Sequence, residues 1–213
     1  MRRHPRRWTA MTVAGMLTVA TLAGLPRPAR AGAPTDQVKQ YTDEVVRILD
    51  DPAMRSADKR AAVRKVAGDV FDLTETAKRA LGRHWQGRTA AEREEFVQLF
   101  ADLLERTYIS KIDLYGGERV KYVGETIDGN YAVVKGRVVT KKGTEVPVDA
   151  RLLNRNGRWL IYDVTVENVS LVGNYRAQFD HILRTSSFQE LLNRLRSRRD
   201  EFLNGKETRA GRG

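Results

Sequence analysis

The chain has 213 residues, no cysteine and a formal net charge of +11, with 41% hydrophobic residues. Without cysteine it has neither disulfides nor a site for lipoprotein acylation, so its stability has to come from a buried core. Six of the positive charges are arginines within residues 1–31, which hold no acid, and the +5 left for the rest is no nucleic-acid footprint.

The first 31 residues have the three parts of an export signal. Arg2, Arg3, Arg6 and Arg7 form a basic start, Trp8 to Leu25 is apolar and free of charge, and Ala29-Arg30-Ala31 is a small-x-small cleavage site. A membrane anchor is the competing reading of such an apolar run. The threonines and glycines inside it, with Pro26 and Pro28 behind it, favour cleavage after Ala31. The expected product is a soluble periplasmic protein with one domain over residues 32–203 and a basic tail over 204–213. From Arg194 onward seven basic residues stand against Asp200, Glu201 and Glu207, which reads as a solvated helix end with a weak attraction to anionic lipid.

Helices come first in the mature chain. Val38, Tyr41, Val45, Ile48 and Leu49 keep helical spacing, as do Val63, Val66 and Val70. Asp72-x-x-Glu75 and Thr89-x-x-Glu92 read as capping boxes that open further helices. Phe96, Leu99, Phe100, Leu103, Leu104, Tyr108, Ile112 and Tyr115 then predict one helix of about seven turns. From Glu118 the period changes to that of strands, over about 118–127, 131–140, 144–154 and 158–167. Asp128-Gly129-Asn130, Lys142-Gly143 and Asn156-Gly157 punctuate them as hairpin turns. Val146, Val148, Ala150 and Leu152 share one face of the third strand, while Asp149 and Arg151 share the other. After a turn at Asn168 the chain reads as a polar segment carrying Tyr175-Arg176. It then returns to helix with Phe188, Leu191, Leu192, Leu195 and Phe202. Helices, an antiparallel meander and helices again predict an α+β domain, with helices packed on one face of a four-stranded antiparallel sheet.

Chemistry-bearing motifs are scarce. The sequence contains no H-E-x-x-H, no G-x-S-x-G, no P-loop and no G-x-G-x-x-G. His84 and His181 lack metal-ligand spacing, so neither a metal nor a catalytic cofactor is expected. The apolar faces admit two readings, a filled core or a cavity for an apolar ligand, because both use the same residue types.

Four blocks tie the chain to a family: Phe71-Asp72, Leu81-Gly82-Arg83-His84-Trp85, Pro147-Val148-Asp149, and Trp159 to Phe179 (WLIYDVTVENVSLVGNYRAQF). In this order and near this spacing they resemble the MlaC-type periplasmic phospholipid-binding proteins, the toluene-tolerance auxiliary family. The resemblance implies a curved sheet and helices forming an NTF2-like cone with an apolar cavity, and a carrier without catalytic activity. Phospholipid is then cargo, held by Phe71, Leu81, Trp85, Phe100, Leu104, Tyr108, Ile112, Val133, Val148, Leu152, Ile161, Val169 and Leu171. Tyr108, in the Thr107-Tyr108 pair that matches the family's tyrosine, and Val169, after the last strand, are the most specific of these. The implied partners are an inner-membrane ABC transporter complex with its tethered lipid-binding component and an outer-membrane lipoprotein complex. The carrier is expected to be a monomer that binds no nucleic acid.

Two departures from the family pattern stand out. Asn168 occupies a position where the family has glycine, and asparagine tolerates the left-handed backbone best after glycine. Ala150 replaces an aromatic residue, which widens the interior if it points inward. Arg176 is expected in a structural ion pair with Asp163 or Glu167, with a phosphate contact as the alternative. Two further functions stay open: a lipid-free adaptor of an envelope transporter, and an NTF2-like enzyme with Asp163 as a general base of raised pKa.

Overall fold

The computed structural model describes residues 34–198. The export signal with its Ala31 site, Phe202 and the 204–213 tail lie outside the described residues.

Helix α1 (Pro34–Asp50) opens with proline at its first position, where a missing N–H costs nothing. Helix α2 (Ser56–Val70) buries Val63, Val66 and Val70 on one stripe. Helix α3 (Leu73–Leu81) is capped by the Asp72 carboxylate, which accepts from the Glu75 N–H at 2.8 Å. The second half of that expected capping box is missing. Glu75 turns instead to Arg79, with Nε 2.8 Å away, and the Asp72 N–H donates to the Ile161 carbonyl. Helix α4 (Ala90–Tyr108) has the full box, with Thr89 and Glu92 each accepting from the other's backbone N–H.

The long apolar stripe predicts more α-helix than forms. After Tyr108 the chain tightens into a 3-10 segment, Ile109–Leu114. Thr107 and Ser110 return their hydroxyls to the carbonyls of Leu103 and Arg106, and such back-bonding weakens a helix where β-branched Ile109 already disfavours it.

The sheet holds five antiparallel strands in sequential order, β1 (Arg119–Asp128), β2 (Tyr131–Val139), β3 (Glu145–Arg155), β4 (Arg158–Val166) and β5 (Val169–Ser170). The fifth strand is two residues long, added by a tight turn in which Glu167 and Asn168 stand at φ +48° and +65°. Asn168 thus takes the left-handed conformation, and the Glu167 N–H is tied to the Pro147 carbonyl at 3.0 Å. Register shifts at Tyr122/Gly124 and Arg151/Leu152 bend the sheet.

Helix α5 (Leu171–Thr185) occupies the segment read as polar from sequence. Its buried positions, Val172, Tyr175 and Phe179, recur three and four residues apart, a signal masked by the polar residues between them. Helix α6 (188–198) follows, burying Phe188, Leu191, Leu192 and Leu195.

The helices serve two separate cores. α1 and α2 cover the inner face of the sheet, where Val38, Val66 and Val70 meet Ala132, Val134, Ala150, Leu152, Trp159 and Ile161. α3 to α6 make a second core of their own around Phe96, Phe100, Tyr175, Phe179 and Phe188. Phe179 meets Phe96 and Phe100 edge-on, with ring centroids 5.5 and 5.3 Å away, while Phe96 and Phe100 stack on each other. Helices on an antiparallel sheet are thus present, in two sets, and the space between the sets is the site.

Candidate functional site

A cavity of about 620 Å³ lies where the two cores part. That is within the range of small-molecule sites, roughly 300–1,000 Å³. One wall is α2, through Arg64, Ala67 and Gly68, continued by Phe71. The opposite wall is the end of α4, with Ala101, Leu104, Glu105 and Tyr108, followed by Ile109. Strand β4 supplies Tyr162, Asp163, Val164 and Val166, and the turn into α5 adds Val169, Ser170, Leu171 and Asn174.

The wall on α2 follows from spacing. Arg64, Ala67, Gly68 and Phe71 fall at i, i+3, i+4 and i+7, one helical face. Small side chains there leave the space between α2 and α4 unfilled, and a Cβ placed on Gly68 would meet nothing within 4 Å. Phe71 is fixed at the end of this wall by its neighbour, whose N–H donates to the Ile161 carbonyl at 2.9 Å. The Asp72 carboxylate also holds the Arg155 guanidinium at 2.9 Å. Tyr162 turns one side to the cavity and carries the Arg79 guanidinium 4.0 Å from its ring centre.

Five of the residues implied by the resemblance meet at this cavity: Phe71, Leu104, Tyr108, Val169 and Leu171. Tyr108 and Val169 stand at its rim, 46% and 61% exposed. Burial pushes the Tyr108 phenol above its usual pKa, and the neighbouring Tyr175 hydroxyl adds to that shift.

The other residues are placed elsewhere. Leu81, Trp85 and Phe100 are buried in the helical core, and Leu152 and Ile161 in the core under the sheet, where close packing leaves no room beside them. Ile112 lies half-buried in the 3-10 segment beyond the cavity. Val133 is half-buried opposite Arg151 on the outer side of the sheet, and Val148 is half-buried near the start of β3, opposite the cavity residue Val166 but not itself in the lining. Ala150 does point inward, but into the core beneath α1 and α2, so it does not widen this cavity.

Sequence reasoning missed Ala67, Gly68, Leu73, Thr76, Tyr162 and Val164. The α2 face was available as a periodic signal, yet small residues on it read as weak amphipathicity.

Asp163 is 5% exposed and faces the cavity wall, but its oxygens are already engaged. Oδ2 accepts from the Ser170 hydroxyl at 2.6 Å and Oδ1 from the Val172 N–H at 3.0 Å. Arg151 approaches Oδ2 to 3.9 Å from outside. The carboxylate therefore caps the N-terminal end of α5, and both of its oxygens are taken up by that structural role. Arg176 pairs with neither Asp163 nor Glu167. Its Nε donates to the Arg79 carbonyl at 2.8 Å and its stem packs over Gly82, which joins α5 to α3.

Among the described residues no group of three His, Cys, Asp or Glu side chains is placed to hold a metal ion. His84 bonds the Asp180 carboxylate at 2.9 Å, and that contact and the Arg83 and Arg184 guanidinium groups hold Asp180 below its ordinary pKa. Among the described residues no helix is long and apolar enough to cross a membrane.

Comparison with known proteins identifies relatives of this chain. The model of the MlaC protein family matches residues 39–197. The intermembrane phospholipid transport system binding protein MlaC of Haemophilus influenzae is 22% identical over 142 residues, 64% of this chain and 66% of the relative. The chain thus spans just under two thirds of that relative's length. A phospholipid-binding protein of Ralstonia solanacearum, solved in complex with a phospholipid, is 25% identical with a TM-score of 0.69, covering 78% of this chain and 96% of that one.

Proposed function

Since this chain belongs to the MlaC family, we propose that it carries a phospholipid in the cavity between its two cores, with the acyl chains inside and the headgroup at the rim. The observation that carries the proposal is the wall itself, apolar residues from four elements around a space of about 620 Å³, with the Arg64–Glu105 ion pair in its lining. Each buried methylene contributes about 0.8 kcal/mol, so two acyl tails represent on the order of 20 kcal/mol of gross transfer energy. A lipid that crosses water needs such a shelter. Carriage without covalent chemistry needs no nucleophile or metal, and Asp163 serves the fold. The carrier acts in the periplasm after loss of residues 1–31. It exchanges cargo with an inner-membrane ABC transporter complex and its tethered lipid-binding component on one side, and with an outer-membrane lipoprotein complex on the other.

The test is native mass spectrometry of the purified mature protein, followed by lipid extraction. The expected result is one diacyl phospholipid per chain at near-unit occupancy. Protein that remains empty after incubation with phospholipid vesicles would overturn the carrier and favour a lipid-free adaptor.

A further inference from the structure

The cavity wall contains three charged side chains, Arg64, Glu105 and Asp163. Asp163 is sealed by Ser170 and the Val172 N–H, which leaves Arg64 and Glu105 to face a cargo. They stand on opposite walls, Arg64 on α2 and Glu105 on α4, with Nε 2.6 Å from Oε1. Both are half-exposed, and each is the other's charged partner across the gap. Glu105 sits beside Leu104 and one turn before Tyr108, where the apolar lining gives way to water. The polar end of the cavity is thus one cation and one anion, neutral in sum.

We propose that this pair is a headgroup subsite that selects zwitterionic phospholipids. The Arg64 guanidinium takes the phosphate and the Glu105 carboxylate takes the headgroup ammonium. The inference rests on the carrier reading above. An exposed ion pair contributes little, so opening it costs little. A guanidinium matches a phosphate with two parallel hydrogen bonds, and the ammonium replaces it at the carboxylate, so no charge is left without a partner. A headgroup with phosphate alone satisfies Arg64 but strands Glu105 beside a like charge. Because the rim is exposed and screened, the discrimination is small, about two- to fivefold.

The experiment offers the mature protein mixed vesicles of phosphatidylethanolamine and phosphatidylglycerol with identical tails, then analyses bound lipid by mass spectrometry. The expected result is enrichment of phosphatidylethanolamine by about two- to fivefold. Glu105→Gln should remove or invert the preference. The charge-swapped double variant Arg64→Glu/Glu105→Arg should restore it, which a merely structural role of either residue does not predict. Tail-free glycerophosphoethanolamine should not compete, since the tails supply the affinity. Equal uptake of both lipids by the wild type, or a preference unmoved by Glu105→Gln, overturns the subsite and leaves the carrier standing. Absence of lipid in every arm overturns the carrier reading itself.

Discussion

Asp163 shows how one residue can mislead in sequence and be understood in structure. A carboxylate inside an apolar strand suggests either catalysis or a structural bond, and pattern alone does not choose. The fold chooses, because the tight turn at Glu167-Asn168 brings Ser170 and the Val172 N–H onto both of its oxygens. Asp163→Asn keeps the shape but replaces one accepting oxygen by an NH2 group that cannot accept, which leaves the Ser170 hydroxyl or the Val172 N–H without its partner. Stability should therefore fall by about 1–3 kcal/mol in a denaturant titration. An unchanged midpoint would show that the α5 cap matters little. Val169 was legible as a position at the cavity because the family motif marks it, but its depth was not. At 61% exposure a glutamate there can keep its charge in water. Val169→Glu should therefore lower lipid occupancy only modestly, whereas Leu104→Glu on the inner wall should abolish it. Circular dichroism must show both variants folded. Equal losses in the two would place Val169 inside.

At the scale of elements, strands and capped helices were readable because their signals are local. The four longer strands lie within a residue or two of their expected bounds, and Thr89 opens α4 where its capping box predicts. Helix α5 was not readable, because its stripe of Val172, Tyr175 and Phe179 is narrow and buried only against other helices. The cavity wall on α2 was hidden for a related reason: its message is absence of bulk at Ala67 and Gly68. That wall gives the sharpest test of where the tails lie. Nothing stands within 4 Å of a Cβ at Gly68, so a side chain can start there, and Gly68→Leu is expected to fold. Removing a helical glycine should even stabilise the protein by about 0.5–1 kcal/mol. The leucine side chain takes the space of about four carbons of cargo, about 3 kcal/mol at the usual value per methylene. The expected outcome is a melting temperature held or raised together with a large loss of bound lipid. Full occupancy in a stable Gly68→Leu protein would move the cargo out of this cavity.

For the molecule as a whole, the two cores explain why the chain can hold an opening without collapsing. The helical core around Phe96 and Phe179 and the core beneath the sheet are each closed on themselves, so neither needs the cavity filled in order to pack. They are joined through β4, the turn and α5, through the contacts of α3 and its Asp72 cap with Ile161, Tyr162 and Arg155, and across the gap by the ion pairs Arg64 with Glu105 and Arg60 with Asp113. Such pairs hold little on their own. Cargo that touches both walls should then add a tie where α2 faces the end of α4, which such pairs span. A ligand present at about a hundred times its dissociation constant adds about 2.7 kcal/mol to the folded state. In a domain of this size that raises the melting temperature by roughly 5–10 °C. Delipidated protein should therefore melt that much lower than the same sample refilled from vesicles. Hydrogen exchange should locate the gain: α2 and the end of α4 should become protected on refilling, while the amides of α6 around Leu191, none of whose residues line the cavity, should change little. If the two samples melt together and α2 exchanges equally in both, the lipid is not held between the cores. If protection instead rises evenly over the whole chain, the two cores behave as one cooperative unit, and the cavity is a fixed socket with no moving wall.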